Sequence, residues 1–351
     1  MSEKMLAVMK RERASGAELV TVDIPKIKPN EVLVKVKATS ICGTDAHIYN
    51  WDEWAQSRIN PPMIFGHEFA GEVVQVGNLV KRIKVGDLIS AETHIPCGHC
   101  FQCLTGKQHI CQNLKILGVD TDGCFAEYAA IPEVCAWRND ESLPPEIASV
   151  QEPFGNATYT VMESGVSAKI IAIMGDGPIA CFATGIARAV GAAKIFAVGE
   201  FPYRVNLLKK MGADVALSIL THDTVKEIMD ATSGEGVDVV LEMTGAQKAI
   251  DNGFSILKKG GTFTAFGIPA SRIEFDLSNN VIFKGANIVG INGRLMFDTW
   301  FQLSNLLKFK KVDISPVITH KMPLKDFHKG MEAVVSSKRE AGKVVFFPEA
   351  K

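Results

Sequence analysis

Polar and apolar side chains alternate along the first part of the chain and run together along its middle. Residues 31–37, Glu-Val-Leu-Val-Lys-Val-Lys, alternate one by one, which predicts a half-buried strand. Residues 72–76 and 125–131 read similarly, and no long amphipathic helix is expected before Pro153. The pattern then changes. Residues 169–174, Lys-Ile-Ile-Ala-Ile-Met, are a continuous apolar run, as a strand covered on both faces requires. A glycine-containing turn follows, then a helical pattern through Ala189. Strands are expected at 194–198, 237–242 and 261–266, with helical patterns between them, one at 204–211. This alternation predicts an α/β protein with a doubly wound parallel sheet. Beyond Met296 the pattern is mixed, with a helix expected at 327–336 and a strand at 343–347. The expected organisation is a β-rich domain over 1–153, a parallel α/β domain over 154–296, and a return to the first domain over 297–351.

Composition narrows the function classes. A length of 351 residues suits two domains. Lys plus Arg number 38 against 39 Asp plus Glu, so no charge imbalance draws the chain to nucleic acid or to an anionic membrane. The N-terminal residues carry no apolar core of a secretory signal. The most apolar stretch, 170–198, is broken by Asp176, Pro178, Arg188 and Lys194 and does not read as a membrane span. The expectation is a cytoplasmic protein with neither nucleic-acid nor membrane partners.

Four of the eight cysteines fall in Cys97-x2-Cys100-x2-Cys103-x7-Cys111. In a reducing compartment such a cluster points to a metal rather than to disulfides. Four thiolates suit a closed, tetrahedral structural zinc site, and a lobe so poor in apolar residues gains its order from the ion. Cys42, His67 and Glu68 form a looser set. Taken singly, a core cysteine and a solvated His-Glu pair account for them; taken together, a Cys, a His and a carboxylate from separate loops suit a catalytic zinc with an open position. Glu152 stands at the expected domain junction, where it is either solvated or part of a site.

Gly175-Asp176-Gly177-Pro178-Ile179-Ala180 follows a predicted strand and opens a predicted helix, the context in which a glycine-rich turn binds a dinucleotide pyrophosphate. Asp176 adds a negative charge inside that loop. Position 199, where an acid that favours NAD is expected, is Gly199, with Glu200 beside it.

Gly66-His67-Glu68-x2-Gly71-x5-Gly77-x2-Val80, the cysteine lobe and the later glycine loop together resemble the zinc-containing medium-chain alcohol dehydrogenases, over essentially the whole chain. Residues 42–54, 152–157 and 293–300 are similar to that family's threonine-oxidising bacterial members. The resemblance implies a GroES-like catalytic domain and a Rossmann cofactor domain. It implies a catalytic zinc on Cys42, His67 and Glu68, with Glu152 as a nearby or exchanging carboxylate, and a structural zinc on Cys97, Cys100, Cys103 and Cys111. Thr44 and His47 would carry the proton away. Gly175, Gly177, Ile179, Glu200, Arg204, Phe266, Gly267, Ile268, Ile291 and Asn292 would hold NAD. The implied reaction is oxidation of L-threonine to 2-amino-3-oxobutanoate by a homotetramer. Arg294 is the candidate for the substrate carboxylate, and His94 for the same pocket. The alternatives are a polyol or secondary-alcohol dehydrogenase, and a non-catalytic, zinc-stabilised nucleotide-binding protein.

Overall fold

The computed structural model of the protein describes residues 3–349. They group into two compact units, one of Met1–Glu152, Ile318–Ser337 and Lys343–Lys351, the other of Pro153–Val317 and Lys338–Gly342. The expected return to the first domain at 297 is corrected to Ile318. Residues 297–317 stay with the second unit because the Asp298–Lys308 helix buries Trp300 and Leu303. Leu303 packs close to Gly155: a Cβ there would lie 3.2 Å from Leu303 Cδ2.

In the first unit, Glu31–Ser40 is the central strand. It pairs antiparallel with Glu68–Val76, Tyr128–Pro132 and Lys343–Phe347. The alternation at 31–37 lies inside this strand, but most of its residues are buried, with Lys35 and Lys37 the half-buried exceptions. Phe65, Phe125 and Phe327 form the aromatic core, with ring centroids 5.2–5.7 Å apart in edge-to-face contact. Two short helices, Gly43–Asn50 and Glu53–Arg58, have no periodic signal because they are only eight and six residues long. Local caps start them: Asp45 accepts from the Cys42 backbone N–H at 2.8 Å, and Asp52 from Ala55 N–H at 3.0 Å.

The second unit is built on a wholly parallel six-stranded sheet. Its strand order is Val215–Ser218, Lys194–Gly199, Ile170–Met174, Val237–Glu242, Leu257–Ala265, Asn287–Gly290. In chain order this is 3-2-1-4-5-6, the doubly wound arrangement that binds dinucleotides at the carboxyl ends of its strands. Among the described residues, no helix is long and apolar enough to cross a membrane.

One ion pair fastens the C-terminal strand of the first unit. Lys343 is buried; its Nζ donates to both carboxylate oxygens of the fully buried Glu68 and, at 2.9 Å, to the Ile41 carbonyl. Burial pulls the ammonium pKa down, but Glu68 and Cys42 outweigh it and the net shift is upward. Lys343→Met leaves the carboxylate charged and uncompensated, which is expected to cost about 3–5 kcal/mol. A lowered urea midpoint checks this; a midpoint equal to the parent's would show that the pair does not hold the strand.

Candidate functional site

Cys42, His67 and Glu68 come together in the first unit. One ligand atom from each lies within 4.8 Å of the others. Cys42 is the N-cap of the Gly43–Asn50 helix. Glu68 opens the strand that pairs with Glu31–Ser40, facing Ser40, whose hydroxyl donates to it. His67 follows Gly66, whose φ of +88° and contact with the Phe125 ring leave no room for a side chain. Buried His67 Nδ1 accepts or donates no hydrogen bond among the described residues, and Asp45 Oδ1 is 3.8 Å away. Burial opposes a charged imidazole here, but Cys42, Asp45 and Glu152 more than offset it and push its pKa to about 10. The pocket therefore attracts positive charge. With a soft thiolate, an imidazole and a hard carboxylate facing one another, it fits a zinc ion.

Glu152 is buried in the first turn of the Gln151–Glu163 helix and accepts from Thr93 Oγ1 at 3.3 Å. Thr44 Oγ1 lies 3.8 Å from Cys42 Sγ. His47, one turn further along the same helix, is exposed; its Nδ1 meets Asp52, and its ring stands edge-on to Trp54.

The four lobe cysteines also converge, each Sγ within 4.8 Å of the rest. Cys100 Sγ is 3.5 Å from Cys103 Sγ and 3.7 Å from Cys111 Sγ. Thiolates around a tetrahedral zinc with bonds of about 2.3 Å stand about 3.8 Å apart, so this spacing fits the ion. All are free thiols. The His99 backbone N–H is the main cause that lowers the Cys97 thiol to about 5, and backbone N–H groups of Cys97 and Asn113 point at Cys111 Sγ, each at 3.3 Å. Such donors favour the thiolate that binds metal.

In the second unit, the predicted cofactor residues cluster at the carboxyl ends of the parallel strands. Gly175, with φ of +134°, leaves the Ile170–Met174 strand, and Gly177 is the N-cap of the Pro178–Ala189 helix with no side chain over its orphan N–H groups. The space above Gly177 Cα is open. This suits a pyrophosphate on the helix N-terminus. Ile179 is half-buried at that helix start. Phe266 and Gly267 donate their N–H groups to Glu242 O at 3.0 and 3.1 Å, and Ile291 N–H donates to Ala265 O at 3.0 Å. Ile268 and Asn292 are exposed. Glu200 is exposed, and its carboxylate makes no hydrogen bond among the described residues.

The two candidate substrate residues are both enclosed, Arg294 in the second unit and His94 in the first. Arg294 is fully buried, donates from Nη1 to Asn156 Oδ1 at 2.7 Å, and lies 5.9 Å from the Trp300 ring centre. Its guanidinium already has an internal partner. His94 is a buried strand residue whose Nδ1 is 3.1 Å from Glu92 Oε1. The sequence reading missed Asp45, Asp52, Glu92 and Lys343. The Cys42-x2-Asp45 spacing of a helix cap could have revealed Asp45; no local signal marks Lys343.

Comparison with known proteins agrees with this geometry. Residues 28–141 match the alcohol dehydrogenase GroES-like domain, and residues 178–308 match the zinc-binding dehydrogenase domain. The chain is 50% identical to the L-threonine 3-dehydrogenase of Bacillus subtilis (strain 168), over 99% of both chains. It is 50% identical to that of Pyrococcus abyssi, again over 99% of both. Among solved structures, a zinc-binding dehydrogenase of Sinorhizobium meliloti 1021 bound to NADP superposes with a TM-score of 0.90 at 27% identity, covering 99% of this chain and 100% of that one. With both domains matched in order and the thiolate and imidazole clusters in place, the chain belongs to the zinc-binding dehydrogenases with an alcohol dehydrogenase GroES-like domain.

Proposed function

We propose that the protein oxidises L-threonine at its 3-hydroxyl to 2-amino-3-oxobutanoate, with hydride transfer to NAD. The observation that carries this reading is the 50% identity, over 99% of the chain, to L-threonine 3-dehydrogenases of two distant organisms. Cys42, His67 and Glu68 hold a catalytic zinc, with Glu152 as the neighbouring carboxylate, and Cys97, Cys100, Cys103 and Cys111 hold a structural one. When bound, the catalytic ion polarises the substrate hydroxyl and lowers its pKa, and the nicotinamide takes up the hydride.

The chain's own residues bind, orient and move the proton. Thr44 Oγ1 receives the hydroxyl proton and hands it toward His47, whose exposed ring, held by Asp52, releases it to solvent. His94, oriented by Glu92, lines the substrate site. Gly175 and Gly177 receive the pyrophosphate, while Ile179, Arg204, Phe266, Gly267, Ile268, Ile291 and Asn292 line the rest of the dinucleotide. The active form is a homotetramer. The exposed edge strand Asn287–Gly290 and the neighbouring exposed Ile282 and Phe283 support such an assembly. Eight free cysteines suit the cytoplasm.

L-Threonine with NAD is expected to yield NADH and a product that loses CO₂ to aminoacetone, read by absorbance and product analysis. NADH from a diol with none from threonine would put a secondary-alcohol dehydrogenase in its place. Cys42→Ser is expected to abolish turnover while NADH still binds, and His47→Asn to slow turnover by roughly 10²-fold. A fully active Cys42→Ser protein would end the catalytic-metal assignment. Cys100→Ser is expected to lose the structural zinc and melt at a lower temperature, since metal binding is coupled to folding. Elemental analysis and a melting curve unchanged from the parent would contradict that.

A further inference from the structure

The dinucleotide reading leaves the adenosine end without its usual acid. In a doubly wound sheet, a carboxylate at the end of the second strand accepts the ribose hydroxyls of NAD. Here that position is Gly199, the last residue of Lys194–Gly199. The space above it is filled from elsewhere. A Cβ built on Gly199 would lie 2.6 Å from Asp176 Cβ and 2.9 Å from Asp176 Oδ2. Asp176, the charge inside the glycine loop, thus stands where the side chain of a strand-end acid would begin.

Its orientation is set by the backbone. Oδ2 accepts from Glu200 N–H at 2.8 Å and Phe201 N–H at 3.0 Å. Oδ1 accepts no hydrogen bond among the described residues; the nearest cation is Arg204, with Nη1 3.9 Å away. Arg204 is held beside it by a 3.0 Å bond from Nε to the Ala341 carbonyl. The Asp176 side chain is 11% exposed. Glu200 lacks any such anchoring: its backbone N–H goes to Asp176, its carbonyl takes the Ser218 hydroxyl at 2.7 Å, and its side chain stands in solvent.

We propose that Asp176, not Glu200, is the specificity-determining acid of the cofactor site: it accepts the adenosine ribose hydroxyls and disfavours a 2′-phosphate. With the acid at position 176 and the glycine at 199, the carboxylate stands beside the strand end from the loop side. This rests on the dinucleotide-binding reading above. A negative charge in a phosphate loop is then no obstacle, because two backbone N–H groups direct it to the ribose rather than to the pyrophosphate.

The test is equilibrium binding of NADH and NADPH, followed by nucleotide fluorescence without substrate. The parent is expected to prefer NADH. Asp176→Asn keeps an acceptor for the two backbone donors but removes the charge. The ratio of the NADPH to the NADH dissociation constant should fall roughly tenfold or more, the scale of a hydrogen bond to a charged group. The reciprocal series guards against a merely structural role. Gly199→Asp alone should weaken both nucleotides by crowding Asp176, Asp176→Gly alone should weaken NADH, and the double variant should recover the preference for NADH. A parent preferring NADPH would overturn the inference. So would an unchanged ratio in a folded Asp176→Asn protein, or a double variant no better than the worse single one. If Asp176→Asn fails to fold, the double variant decides. A parent that binds neither nucleotide would overturn the dinucleotide reading itself, and this inference with it.

Discussion

The buried carboxylate of Glu68 sets the terms for the first unit. It has no contact with water, it sits at the start of a central strand, and Cys42, Asp45 and Glu152 crowd negative charge around the neighbouring His67. Taking such a charge out of water costs several kcal/mol unless a partner is in place. Lys343 and the Ser40 hydroxyl are that partner. Burial, helped by the Glu68 charge, outweighs His67, the Cys42 N–H and Lys343 and pushes the fully enclosed Asp45 up to about 6, so this interior holds anions reluctantly. The arrangement leaves a surplus of negative charge facing inward, and a cation entering it competes with Lys343 for Glu68. Structural and chemical demands meet on a single side chain.

What could be read beforehand follows the distance over which each signal acts. The lobe cysteines were legible because all four ligands fall within one short run whose spacing is itself the geometry. The parallel sheet was legible because strands buried on both faces must be continuously apolar, and 169–174 is. Lys343 was not legible: it is 275 residues from Glu68 in sequence, and nothing in Gly-Lys-Val-Val distinguishes it from a solvated strand lysine. The setting of Arg294 was not legible either: its bond to the Asn156 amide spans 138 residues of sequence. The return of the chain to the first unit was placed too early because an amphipathic helix such as Asp298–Lys308 fits against either unit; only the packing of Trp300 and Leu303 decides between them.

The second unit shows the same limit at closer range. Asp176 reads as a misplaced charge when the loop is considered alone, because its partners, the N–H groups of Glu200 and Phe201, lie 24 and 25 residues further on. Two departures from an expected pattern, an added acid and a missing one, become a single compensated feature once the strand end and the loop are seen side by side. Local rules broken at a ligand site are informative when they are broken in pairs.

The Lys343 anchor also bears on how the polypeptide matures. In chain order the lysine comes after the whole of the second unit, so a ribosome has made the parallel sheet before it makes the cation for Glu68. Units tend to fold as they emerge, N-terminal first, yet this first unit lacks the cation for its innermost carboxylate until the second unit has been made. Until the Lys343–Phe347 strand docks, Glu68 lacks the cation that compensates its burial. Completion of the first unit is therefore timed by the arrival of Lys343 rather than by the synthesis of the segment that carries the site.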